Sequence, residues 1–178
     1  AGPLTPQQIV STWPSEEIER IIREYGEDRL ARLIARRIVG DREREPITST
    51  SRLAAIVRRA YAAVGNRSEH VDPATRTFQA LRIAVNDELG NLEALLALIE
   101  AAAAGHASAP TWLAPGARLV FITFHSLEDR PVKQAFARME ERGLAVDLTP
   151  AIVRPSDGEV RANPRARSAK VRAIRLAH

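Results

Sequence analysis

Apolar side chains recur at intervals of three and four residues through the first half of the chain, which is the spacing of amphipathic helices. Ile18, Ile21, Ile22 and Tyr25 form one such face, and Gly26 follows where a helix is expected to end. The spacing and its capping residues predict four helices after an irregular segment at residues 1–14. We expect these helices at about Ser15–Tyr25, at Glu27–Val39, from the Thr48–Ser51 cap to Val64, and at Asp72–Ala103 with a bend at Gly90.

The second half of the chain changes to a β-type pattern. Leu119–Phe124 is a largely apolar run that stops abruptly at His125, as a buried strand does when it reaches the edge of a sheet. Ser126 opens a helix, with Asp129 at the spacing of a capping box. The predicted strands are 118–124, 144–148 and 169–177. The helix runs to about Arg142 from Ser126, or from Asp129 or Arg130 if Pro131 delays its start. The pattern therefore predicts an α/β protein, with a joint at Gly105–Pro110.

Composition narrows the class of protein. The chain has 178 residues, which suits one domain or two small ones, and 45% of them are hydrophobic, enough for a buried core. It has no cysteine, which excludes disulfides and thiolate metal sites and fits a reducing compartment. No apolar stretch is long enough to span a bilayer, and no signal peptide is evident. We therefore expect a cytoplasmic protein without a membrane partner.

The positive charge is concentrated near the carboxyl terminus. The net charge is +4, and residues 154–175 hold seven basic residues against two acids, so the rest of the chain is close to neutral. Nearly all the basic residues are arginine, which binds phosphate through two parallel hydrogen bonds. The pattern is consistent with a nucleic-acid surface and equally with a solvated arginine-rich face.

Several kinds of site are excluded by spacing. No two of the nine glycines are close enough to form a G-x-G loop, so dinucleotide and P-loop phosphate cradles are absent. The four histidines show no metal-ligand spacing. A hydrolase built on His125 and Ser126 is disfavoured because adjacent residues diverge and no G-x-S-x-G elbow is present.

Two polar groups remain as candidates. The first follows the predicted strand 118–124, at the end where ligands bind in open α/β sheets. Its alternative explanation is helix capping by Ser126 and Asp129. The second is Arg76 with Gln79, three residues apart on a helix and able to point together at a ligand. The first group consists of His125, Ser126, Glu128 and Asp129.

Four passages of the sequence resemble the ribosomal RNA small-subunit methyltransferase H family, also called MraW. They read YGEDRLARLIARRIV, DPATRTFQALRIAVNDEL, LAPGARLVFITFHSLEDR and NPRARSAKVR, in the family's order and across nearly the whole chain. The resemblance implies an S-adenosylmethionine-dependent enzyme that methylates the N(4) amine of a cytidine in small-subunit ribosomal RNA. It also implies a helical RNA-recognition insert at 1–90 and, at 91–178, the second half of a Rossmann-like methyltransferase sheet of about three strands, mixed in direction.

The part of the family's sequence that binds the cofactor has no match in this chain. The family's glycine-rich loop lies in an N-terminal portion that has no counterpart here, so no cofactor-binding residue can be assigned. Pro131 and a short segment between Arg142 and Asn163 are further departures. We therefore expect this chain alone to bind S-adenosylmethionine poorly and to be inactive. The alternative is a non-catalytic RNA-binding or ribosome-assembly module derived from the family.

The resemblance, together with the two polar groups and the spacing of the histidines, gives candidate residues and partners. The catalytic candidates are His125, Glu128 and Asp129, and no metal site is expected. Small-subunit ribosomal RNA is the expected partner, and the edge of strand 118–124 is expected to be unpaired, which favours a homodimer, a covering helix or poor solubility. The RNA-binding candidates are Arg76, Gln79, Ser126, Asn163, Arg165, Arg167 and Ser168.

Overall fold

Helices dominate the computed structural model, which describes residues 3–65, 72–105 and 112–177. The chain divides into two compact units, Ala1–Glu88 and Leu89–His178. Within the described residues, no helix has the length and apolar character needed to cross a membrane. The described helices are α1 Pro6–Thr12, α2 Ser15–Glu24, α3 Ala31–Arg44, α4 Thr50–Ala63, α5 Ala74–Asn86, α6 Glu88–Ala103, α7 Ser126–Glu141 and α8 Asp157–Ala162, with a 3-10 helix at Pro164–Ser168.

The first unit is a helical bundle around an isoleucine-rich core. Ile18, Ile21 and Ile22, predicted to share a face of α2, are each at most 1% exposed. Each buried side chain of this size contributes roughly 1.5–3 kcal/mol through the area it removes from water. The buried core of this unit is completed by the inward faces of α1, α3, α4 and α5.

Three of the predicted helix boundaries in this unit are wrong. Residues 1–14 are not all irregular, because Pro6–Thr12 forms α1 with a capping box between Thr5 and Gln8. The helix predicted at Glu27–Val39 instead begins at Ala31 and continues through Gly40 to Arg44. The long helix predicted from Asp72 is divided at Asp87, a left-handed residue with φ 47°, rather than bent at Gly90.

The second unit is a three-stranded sheet covered on one face by helices. Its strands are β1 Arg118–Thr123, β2 Ala145–Asp147 and β3 Lys170–Leu176, in the order β1-β3-β2. The α/β class and the three strands are confirmed, but the predicted mixture of strand directions is wrong, because both described strand pairs are antiparallel. Residues 157–162, which lie between the second and third predicted strands, form α8.

The sheet has one buried and one open face. Ile174 is fully buried with Val132 and Phe136 of α7, and the ring of Phe121 meets that of Phe136 edge to face at 5.6 Å. Side chains on the opposite side of β1, the outer face, are exposed: Val120 and Ile122 are each 60% accessible. Among the described residues β1 pairs only with β3, so its other edge has no strand partner.

Candidate functional site

The turn between β1 and α7 places the first candidate group. His125 is the N-cap of α7, in an extended conformation with φ −142° and ψ 165°, and it makes no side-chain cap hydrogen bond. The backbone N–H of Phe124 donates to Glu128 Oε2 at 2.9 Å. His125 Nε2 lies 3.2 Å from Glu128 Oε1. Glu128, in the first turn of the helix, therefore holds both residues of the turn that precedes it.

Opposing effects act on the pKa of Glu128. Partial burial alone would raise it, but the hydrogen bonds from His125 and from the Phe124 N–H outweigh burial and hold the pKa below its ordinary value. The carboxylate is therefore ionised at neutral pH and acts as a hydrogen-bond acceptor. Both ring nitrogens of His125 are closed to solvent, and Nδ1 has no polar partner among the described residues.

Asp129 lies in a different environment from Glu128. Its carboxylate accepts from Arg172 Nε at 2.7 Å and Arg172 Nη2 at 3.2 Å, and from Lys170 Nζ at 3.2 Å. Asp129 is 8% exposed and Arg172 9%. The Arg172 hydrogen bonds, against the opposing effect of burial and with support from Lys170, lower the pKa of Asp129. The pair joins α7 to β3.

The predicted capping box of Ser126 and Asp129 is wrong. The helix begins at Ser126, but the N-cap is His125, and the Asp129 carboxylate turns to β3 rather than back to the start of its own helix. Two cations on an adjacent strand provide a stronger interaction for a carboxylate than one backbone N–H does. The residue that reaches back is Glu128.

The loop that carries the other candidates is tightly folded. Asn163 caps the 3-10 helix by accepting from the N–H of Arg165 at 3.2 Å, and Ala166 anchors it at 7% exposed. The side chains of Arg165 and Arg167 are exposed, as are Asn163 and Ser168. The 3-10 geometry thus turns both guanidinium groups toward solvent.

A cavity joins this loop to the end of β1. It has a volume of about 290 Å³, with Ile122 and Phe124 on one side and Asn163 and Arg165 on the other. The structure therefore brings Asn163 and Arg165 to the outer face of the strand that leads into His125. Arg167 and Ser168 do not line this cavity.

Arg76 and Gln79 lie in the first unit and contact the protein's own backbone. Arg76 Nη1 donates to the carbonyl of Glu27 at 3.1 Å, and Gln79 Nε2 donates to the carbonyl of Tyr25 at 3.0 Å. They point at the same short segment after α2, as their spacing predicted. That segment is part of this chain, so these contacts fasten α5 to α2.

A group of arginines in the first unit was not anticipated. Side chains of α3 and α4 line a cavity of about 700 Å³, here called the arginine groove. Its lining residues are Arg36, Arg37, Gly40, Asp41, Arg44, Glu45, Arg52 and Arg59. Arg37, Asp41 and Arg44 are spaced four and three residues apart, so they lie on one face of α3. This spacing can be seen in the sequence, but the net charge of the region is close to zero and gives no sign of it.

Comparison with known proteins gives a consistent result. The model of the MraW methylase family matches residues 2–177. A protein of Thermomicrobium roseum named ribosomal RNA small subunit methyltransferase H is 47% identical, over 96% of this chain and 53% of that protein. Proteins of the same name from Symbiobacterium thermophilum and Granulibacter bethesdensis are 47% and 45% identical, over 97% and 93% of this chain and 55% and 51% of theirs. The chain spans about half the length of the curated relatives it matches.

Proposed function

Because the chain belongs to the MraW methylase family, we propose that it forms the RNA-facing part of a methyltransferase acting on small-subunit ribosomal RNA. The family match over nearly the whole chain carries this proposal. The reaction is transfer of a methyl group from S-adenosylmethionine to the N(4) amine of a cytidine. We infer that the chain is inactive alone, because the resemblance implies that the methyl donor is bound by a portion that has no counterpart here.

The described residues do not fit the methyl donor. Nucleotide-type ligands in open α/β sheets bind where the carboxyl ends of parallel strands diverge. Both strand pairs described here are antiparallel, and the sequence has no glycine-rich turn that would let a backbone approach such a ligand. No step of the reaction is therefore assigned to a donor bound by these residues.

The turn at His125 is the proposed contact to the target base. A cytosine amine is a poor nucleophile because its lone pair is delocalised into the ring, so hydrogen-bond acceptors that orient the amine assist the transfer. The base must also leave its stack, at a cost of a few kcal/mol. The ionised Glu128 is suited to accept from the amine, whereas His125 Nδ1 has no partner but is closed to solvent in this structure. Asp129, already paired with Arg172, holds α7 in position.

The 3-10 helix is the proposed contact to the flanking RNA. Arg165 and Arg167 are exposed and suited to phosphates, while Asn163 and Ser168 supply neutral hydrogen-bonding groups. Ser126 lies at the start of α7 beside the target-base turn. Arg76 and Gln79 are RNA-binding candidates of the helical unit, where they hold the segment after α2.

A second candidate function is a non-catalytic RNA-binding or ribosome-assembly module. The observation that favours it is the lack of a fit to the methyl donor among the described residues. This function predicts that the chain binds RNA both alone and when joined to the remaining part of a relative. It also predicts no methyl transfer in either case.

A chimera separates the two functions. The segment of the Thermomicrobium roseum relative that aligns with this chain is replaced by residues 2–177, and tritium transfer from labelled S-adenosylmethionine to small-subunit RNA is measured. We expect transfer by the chimera and by the intact relative, and none by this chain alone. A folded chimera that binds RNA and transfers nothing would favour the non-catalytic module.

A further inference from the structure

The arginine groove carries more positive charge than its acids can balance. Five arginines line it against two acids. Asp41 pairs with Arg59 at 3.0 Å, and Glu45 pairs with Arg52. The remaining three, Arg36, Arg37 and Arg44, have no ion-pair or hydrogen-bond partner among the described residues (Arg36 and Arg44 are exposed, Arg37 half-buried). The groove is thus lined by three arginines that have no ion-pair partner among the described residues.

Two arginine nitrogens in the groove are enclosed without a partner. The Nε atoms of Arg37 and Arg52 have almost no solvent access and no hydrogen bond. A polar atom withdrawn from water in this way costs free energy unless a ligand supplies the missing acceptor. Both atoms are closed to solvent in this structure, so an anion in the groove would reach them only if the side chains move.

Gly40 keeps the groove open. It lies within α3, where glycine is unfavourable relative to alanine by about 1 kcal/mol. A Cβ built at this position meets no atom within 4 Å, so the missing side chain leaves free space rather than avoiding a clash. The helix therefore has a glycine, which is unfavourable for helix formation, at the position where any larger residue would place its side chain in the groove.

The chemistry of the lining selects the ligand. None of its residues is a large apolar or aromatic side chain, so the groove has nothing to insert into a lipid layer and nothing on which to stack a base. Guanidinium groups match phosphate oxygens with paired hydrogen bonds. Contacts confined to phosphates position a nucleic acid without reading its sequence.

We propose that the arginine groove binds successive phosphates of an RNA backbone, through Arg36, Arg37 and Arg44. This rests on the proposed function, which makes RNA the polyanion that the protein meets, and it adds a second RNA contact on the helical unit. Binding at this groove is independent of base sequence and sensitive to salt.

The test measures RNA binding by the full 178-residue chain as a function of salt. The probe is a fluorescein-labelled single-stranded RNA of mixed sequence, and the readout is anisotropy. The groove variant is Arg36→Gln/Arg37→Gln/Arg44→Gln. The matched control, Arg20→Gln/Arg23→Gln/Arg29→Gln, removes the same charge from exposed positions of the same unit.

The expected results are specific to the groove. Loss of three phosphate contacts should lower the slope of log Kd against log salt by about 2, at about 0.7 per contact, and weaken binding about tenfold or more at moderate salt. The control should keep the wild-type slope. Gly40→Gln, which fills the groove without changing charge, should weaken binding in the same direction, and circular dichroism melts establish that each variant is folded.

The outcomes separate the two proposals. Equal losses in the groove variant and the control, or an unchanged affinity in Gly40→Gln, would overturn the groove and leave the proposed function intact. Absence of any RNA binding by the wild-type chain would overturn both. Competition by inorganic phosphate as effective as by RNA would identify a free-anion site instead.

Discussion

Gly26 occupies a position where two backbones nearly touch. A Cβ added there would lie 2.6 Å from the carbonyl oxygen of Ile22 and 2.8 Å from that of Arg76. Neither backbone atom can move without displacing α2 or α5. We expect Gly26→Ala to lower the free energy of unfolding by about 1–3 kcal/mol in urea titrations, the usual cost of overpacking.

Gly40→Ala is the matched control for this prediction. The added methyl group meets nothing within 4 Å and removes a glycine from a helix interior, so the free energy of unfolding should rise by up to about 1 kcal/mol. Equal destabilisation by both substitutions would show that the close backbone contacts at Gly26 are not the reason why glycine is needed there.

Tyr61 and Asp28 form a buried polar pair in the first unit. The Tyr61 hydroxyl donates to Asp28 Oδ2 at 2.8 Å, and Asp28 is 2% exposed. Burial, followed by this hydrogen bond, raises the pKa of Tyr61 to about 12. We expect Tyr61→Phe to cost about 1–3 kcal/mol in the free energy of unfolding, because the Asp28 carboxylate loses its donor.

The same pair makes stability depend on alkaline pH. A tyrosine whose pKa is raised on folding contributes stability that is complete below its ordinary value of about 10 and is lost as pH rises toward about 12. The difference in unfolding free energy between wild type and Tyr61→Phe should therefore shrink across this interval. A constant difference from neutral pH to pH 12 would contradict the assignment.

Local spacing identified some residues and missed the partners of others. Gly26 was predicted from its place after an apolar face, but its approach to Arg76 joins positions distant in sequence. Arg76 and Gln79 were predicted to share a direction, and they do. Their acceptors, carbonyls of Glu27 and Tyr25, could not be predicted because a backbone oxygen has no sequence signal.

At the scale of elements, the Asp129–Arg172 pair joins α7 to β3. Replacing Asp129 by Asn removes the negative charge and leaves Arg172 buried without a counterion, at a cost of about 3–5 kcal/mol. The measurement is chemical denaturation monitored by circular dichroism. Glu17→Gln, which breaks the exposed pair with Arg20, is the control and should cost about 1 kcal/mol or less.

Acid titration gives this prediction a second measurement. Because Arg172 lowers the pKa of Asp129, the stability it contributes is present above the ordinary value of about 3.9 and is lost as pH falls through the lower folded value. Asp129→Asn should remove that part of the acid dependence. An acid profile identical to that of wild type would argue against the ion pair.

Helices and strands were predicted correctly where the local sequence pattern was strong and no nearby residue favoured a different structure. The strands and α7 follow from a clear change of period, and the predicted Ser49 region does cap α4. Thr5 and Gln8 form a capping box that was present in the sequence, although residues 1–14 were predicted to be irregular. The break at Asp87 was missed because the apolar stripe continues across it, while the backbone turns left-handed there.

At the scale of the whole molecule, the outer face and the free edge of β1 favour association. Val120 and Ile122 are exposed beside an edge without a strand partner. We expect the wild-type chain to self-associate as its concentration rises in sedimentation velocity, and Val120→Lys/Ile122→Lys to reduce this. Gln7→Lys/Ser11→Lys adds the same charge elsewhere and should not. A wild-type chain that stays monomeric at high concentration would contradict the prediction.

The net charge of a sequence region does not show where unpaired charges lie in the folded protein. The sequence placed its positive charge near the carboxyl terminus, because residues before 154 sum to nearly zero. In the folded structure some of these charges form ion pairs, whereas Arg36, Arg37 and Arg44 of α3 line the arginine groove without an ion-pair partner among the described residues. Only three-dimensional pairing decides which charges are cancelled.

The central claim is that this chain forms the RNA-facing side of a methyl-transfer site and does not itself bind the methyl donor. Titration calorimetry of the 178-residue chain with S-adenosylmethionine tests it most directly. We predict no saturable heat, under conditions in which the intact Thermomicrobium roseum relative gives a binding isotherm. A one-to-one isotherm for this chain alone would contradict the claim.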